Sequence, residues 1–219
     1  MLLCLRGMTA RFWLLAVVLG VLASGCVTTG MARPVDPGTV QVSVAGGIQN
    51  VGSPSSSSLH FYSFPQAEVG VRVGVKEGVD LGAKFFLAGA AVDGRFSLLR
   101  APSLQKGVDL TLAPGLLYWT VGTADTSLTA ELPLLLGLNF GGSQLVLGAR
   151  AGAFVDLNDT SRPRNKPDLM LGASVGYAIP LTPWLRLMPE LNLRTRSSES
   201  DVMLLGSLGV IVGGYSTSS

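Results

Sequence analysis

The chain has 219 residues and a net charge of +2, with 14% charged residues against 47% hydrophobic ones. A soluble domain carries about 25% charge, so a mean hydropathy of +0.45 places much of this surface out of water. The small net charge excludes a basic field for nucleic acid, and no stretch after Cys26 has the ~18 unbroken apolar residues of a membrane helix.

Residues 1–25 read as a signal peptide and stand outside the fold. Arg6 and Arg11 supply positive charge, and Phe12 to Leu22 form an apolar run. Ala23-Ser24-Gly25-Cys26 resembles the lipobox of bacterial lipoproteins, departing from it at Ala23, where Leu is commonest. The resemblance implies that Cys26 becomes a lipidated N-terminus. Because Val27 follows it, and not Asp, the resemblance also implies delivery to the outer membrane. Cys4 leaves with the signal, so Cys26 has no intramolecular disulfide partner and no Cys-pair zinc site is available. Residues 26–37, with Gly30, Pro34 and Pro37, read as a periplasmic tether.

From about Val40 to Tyr215, apolar residues alternate with polar or small ones. In Trp184–Arg196 one parity reads Leu185, Leu187, Pro189, Leu191, Leu193; the other reads Arg186, Met188, Glu190, Asn192, Arg194, Arg196. Period-two patterning means β-strand with one apolar and one wet face. Strands are expected over 39–49, 66–76, 79–88, 91–100, 108–121, 127–140, 143–157, 168–180, 184–196 and 201–215. These lengths suit a tilted membrane strand of about 9–11 residues.

The links after the second, fourth, sixth and eighth strands are short. Those over 50–65, with its run Ser55 to Ser58, and 158–167 are long. Outer-membrane barrels carry short turns at the periplasmic rim and longer loops outside. A count of ten strands puts both long loops outside and both termini in the periplasm. A count of eight follows if the first strand or the 79–100 hairpin is misread. The barrel spans 38–215, and 216–219 form a C-terminal tail.

One parity, with Val69, Val71, Val73, Leu81, Phe85, Leu134 and Leu171, is expected to face lipid. The other carries Glu68, Arg72, Asp80, Lys84, Arg95, Glu131, Arg150, Arg186, Glu190 and Arg194 as lumen charges. These either pair into a barrel-filling network or line a narrow hydrated pore. Gly70, Gly82, Gly172 and Gly176 share their face and make room for long side chains. Phe140, Trp184 and Tyr215 are expected in an aromatic girdle at the periplasmic rim, with Tyr118 at the other rim. Trp119 falls on the lumen parity.

His60 is the sole histidine, and no Gly-x-Ser-x-Gly elbow occurs. No catalytic residue, metal site or cofactor is expected, and no enzyme. The last strand, 201–215, resembles the C-terminal signal recognised by the barrel-assembly machinery, departing from it because Ser216–Ser219 follow Tyr215. Residues 38–215 resemble the broad class of small Gram-negative outer-membrane barrels. That resemblance implies an all-β, antiparallel up-and-down transmembrane barrel in the outer membrane, with the lipid bilayer and the assembly machinery as partners. Its role would be structural or that of a narrow passive pore. The alternative is a periplasmic lipocalin-like lipoprotein with the apolar parity turned inward around an apolar ligand, because alternation alone does not say which face is inside.

Overall fold

A computed structural model describes residues 30–52, 61–121, 125–157, 167–197 and 202–215. The strands are β1 (Val40–Gly52), β2 (Phe61–Lys76), β3 (Val79–Phe86), β4 (Gly89–Leu99), β5 (Lys106–Leu112) and β6 (Gly115–Val121), then β7 (Asp125–Phe140), β8 (Ser143–Asp156), β9 (Asp168–Thr182), β10 (Leu185–Arg196) and β11 (Val202–Gly213).

Segments β5 and β6 are two halves of one strand. Both align with β4, through Phe96↔Leu112 and Asp93↔Gly115, and both align with β7, through Leu112↔Leu134 and Gly115↔Glu131. The single strand expected over 108–121 is therefore nicked at Ala113-Pro114, where proline has no N–H to give to the ladder. Pairing of β1 with β11, from Gln41↔Gly213 to Gly52↔Val202, closes the sheet. The result is a closed antiparallel barrel of ten strands, and the eight-stranded count is excluded.

At one rim β2–β3, β4–β5, β7–β8 and β9–β10 are joined through 77–78, 100–105, 141–142 and 183–184; the ends of β1, β3, β6, β8 and β10 lie at the other. The loop expected over 50–65 is shorter than foreseen. The β1–β2 ladder runs out to Gly52↔Phe61, and the Ser63 hydroxyl donates to Asn50 Oδ1 at 2.6 Å. His60 and Cys26 lie outside the described residues.

Burial decides which face is inside. Arg95 is 1% exposed and Asp80 0%, whereas Phe85 is 62% and Leu87 71% exposed. The apolar parity faces outward on every strand, so the inward, lipocalin-like arrangement is not the one formed.

Residues 30–38 correct the tether reading. Met31, Ala32, Pro34 and Val35 are buried inside the short-turn end of the barrel. Met31 and Ala32 join Ala113, Leu135, Val146, Ala178, Met188 and Ile211 in the principal apolar cluster. At the rim the segment is held by backbone bonds, Gly38 N–H to the Gly74 carbonyl at 2.9 Å and Asp36 N–H to the Gly214 carbonyl at 2.9 Å. From there, traced toward Gly30, it runs inward. The Gly30 N–H meets Glu190 Oε2 at 3.3 Å, well along β10.

Tyr215 is a second correction. Its ring does not join a girdle. It turns inward, and its hydroxyl donates to the Arg33 carbonyl at 3.0 Å. Phe140, Trp184 and Tyr118 do face outward, and Phe140 stacks on Tyr177 with centroids 5.7 Å apart. Trp119 packs on Phe86 at 5.5 Å on the interior face.

Candidate functional site: the barrel interior

Antiparallel register places charged residues of neighbouring strands opposite one another on the inner face. Asp80 faces Arg95 across the β3–β4 ladder. Their ion pair is 2.6 Å, with Arg95 Nε also 3.0 Å from the same oxygen. Asp80 takes a second guanidinium from Arg72 at 2.6 Å, and Arg72 also pairs with Asp93.

Arg72, Gly82 and Asp93 share one row across β2, β3 and β4. A Cβ at Gly82 would stand 2.6 Å from Arg72 Nη2 and 3.0 Å from Asp93 Oδ1. The glycine is thus the gap through which the arginine crosses one strand to reach its carboxylate. Period-two alternation keeps both charges on the same face but says nothing about this bridging.

The remaining sequence-derived charges also point inward. Lys84 pairs with Glu68 at 3.4 Å. Glu131 receives Arg150 at 3.5 Å and Arg194 at 2.8 Å. Arg150 donates to Asn192 Oδ1, and Asn192 donates to Glu190 Oε1 at 2.7 Å. Arg186 is buried with its guanidinium 4.9 Å from the Tyr215 ring, and its Nε has no partner among the described groups.

A second polar group gathers around Asp109, itself on the polar parity, with two amides that attention to charge alone leaves out. Asp109 accepts from Asn139 at 2.6 Å and from Gln144 at 3.0 Å, and Gln144 donates to Asn139 at 2.8 Å. Asn139 and Gln144 sit on the wet parity of β7 and β8, which was the available signal. The amides complete the hydrogen bonding that buried carboxylates demand.

Interior groups also converge on the inserted segment. Val35 N–H donates to Asp80 Oδ2 at 2.7 Å, and Ala32 N–H to Gln144 Oε1 at 2.8 Å. Arg95 donates to the Met31 carbonyl, and Arg33 to the Ala101 carbonyl at 3.1 Å. Arg33 lies 3.9 Å from Asp109, and Arg100 pairs with Asp36 at 2.5 Å.

Two small cavities lie among the described interior residues. One cavity of about 50 Å³ lies among Lys84, Asp93, Leu117, Glu131 and Arg150. Another of about 30 Å³ lies among Gly30, Arg72, Arg95 and Glu190. Each has room for a few waters. Among the described residues, no group of three or more His, Cys, Asp or Glu side chains could hold a metal ion.

Fold and interior together define a class: a closed ten-stranded antiparallel barrel with an apolar exterior and a charged, filled interior. No protein-family model matches the chain, and no curated protein matches it. Among solved structures, the outer membrane protease OmpT of Escherichia coli covers 80% of this chain and 96% of its own, at 8% identity and a TM-score of 0.45. Neisserial surface protein A covers 81% of this chain and 99% of its own, at 11% identity and a TM-score of 0.41. Ail, the attachment invasion locus protein of Yersinia pestis, covers 81% of this chain and 99% of its own, at 9% identity and a TM-score of 0.35. At these values the likeness carries no argument about activity, and the fold of this chain rests on its own strand pairing.

Proposed function

We propose that this protein spans the outer membrane as a sealed structural barrel and not as an open pore. The exterior supports the membrane reading. Val71, Leu81, Phe85, Leu134, Leu171 and Leu193 stand exposed on five different strands, a surface that water would not tolerate and hydrocarbon would. Trp184 and the Phe140–Tyr177 stack sit outside near the short-turn rim, where an interfacial girdle belongs. In this reading the short turns and the chain ends face the periplasm, and the alternating last strand is presented to the barrel-assembly machinery.

The observation that carries the sealed state is the segment Gly30–Val35 lying inside the barrel and bonded to Asp80, Arg95 and Gln144. A passage would need continuous polar space, and Arg72, Lys84, Arg95, Arg150 and Arg194 are each held by an interior carboxylate. The test is purification from outer membranes followed by single-channel recording in planar bilayers. A folded barrel, shown by a heat-dependent gel shift, should give no stepwise currents. Reproducible unitary conductance in the unmodified protein would overturn the sealed reading.

A further inference from the structure

We infer that Gly30–Thr39 is a separable plug, seated in a cradle built for it, and that the seal belongs to this segment and not to the barrel wall. This rests on the membrane-barrel reading above.

The wall closes without the segment. The ladders that complete it, β1 with β11 and β3 with β4, involve no residue before Val40. The cradle, by contrast, has features that serve the segment. A Cβ at Gly74 would lie 2.1 Å from the Asp36 carbonyl oxygen and 2.9 Å from that of Val35, so this wall position is kept empty for the chain passing over it. A Cβ at Gly137 would lie 2.9 Å from that of Ala32. Asp80, Gln144 and Arg95 each present a side chain to a backbone group of the segment. Backbone recognition of this kind fixes the path of the segment, and the side chains from Met31 to Val35 are all buried with it. Met31, Ala32 and Val35 supply the apolar part of the fit.

The experiment is bilayer recording on three variants, each first shown to be a folded barrel by the gel shift. Gly74→Val obstructs the cradle from the wall. V35G/D36A loosens the segment and leaves the wall unchanged. Ala32→Cys with Gly137→Cys, in a Cys26→Ser background, locks the segment once oxidised, the end of Gln144 swinging aside. Either loosening variant should open at least tenfold more often than the unmodified protein, and adding the oxidised lock to V35G/D36A should abolish the openings. Closed recordings from both folded loosening variants would sink the plug. Openings that persist with the cross-link formed would do the same. If the unmodified protein conducts and the lock silences it, the sealed-state reading fails while the plug survives.

Discussion

Asp80 and Arg95 stand directly opposite on β3 and β4, and the carboxylate that holds the arginine also accepts the Val35 N–H at 2.7 Å. One buried carboxylate thus braces the wall and fixes the inserted segment. Removing one member of a buried pair strands its partner, at a cost of about 3–5 kcal/mol. Asp80→Asn should therefore lower the urea midpoint of the folded barrel sharply. Arg95→Met should cost less, because Asp80 keeps Arg72 at 2.6 Å. Equal losses in the two variants would contradict this assignment.

The exterior should respond to charge according to depth. Leu134 lies in the middle of β7, and Leu181 near the short-turn end of β9; both are exposed. Leu134→Arg should destabilise the barrel in phospholipid vesicles by about 2–4 kcal/mol, and Leu181→Arg by about 0–1 kcal/mol. Titration of folding against denaturant in vesicles gives both numbers. A protein that tolerates arginine equally at the two sites does not have its belt in a bilayer.

Gly82 and Gly206 provide a matched pair. A Cβ at Gly82 collides with the Arg72 guanidinium, whereas nothing lies within 4 Å of a Cβ at Gly206. Gly82→Ala should cost about 1–3 kcal/mol through overpacking. Gly206→Ala should stay within about 0.5 kcal/mol of the parent. Thermal melting in detergent, followed by the gel shift, compares them.

Tyr215 should matter through its hydroxyl and its ring separately. Tyr215→Phe removes the 3.0 Å bond to the Arg33 carbonyl, worth about 0.5–1.5 kcal/mol. Tyr215→Leu removes in addition the ring beside Arg186 and should cost about 0.5–2 kcal/mol more. Denaturant midpoints of the two variants would separate the contributions. Indistinguishable midpoints would place the ring in an outer girdle after all.

The alternation along the chain was enough to locate ten strands, because side-chain direction in a strand is a local property of the backbone. Even the interior charges were legible, since Arg72, Asp80, Arg95 and Glu190 fall on one parity. Their partners were not. Parity puts Arg72 and Asp93 on the same face, but only the β2–β3–β4 register, with Gly82 between them, makes them a pair. The nick at Pro114 interrupts the strand expected over 108–121 only mildly. Register continues unchanged on both sides of it, so the barrel treats the two halves as one strand.

By itself, the sequence determined strand positions and the division into an apolar and a polar face, both set by interactions between residues close in the chain. The tertiary structure decided which face is inside, where the sheet closes, and that Met31 to Asp36 enter the barrel. No periodicity marks that segment. Its partners are Asp80, Arg95, Gln144 and Tyr215, between 45 and 182 residues away. Contacts over such separations exist only after the barrel has closed, and so leave no local pattern to read.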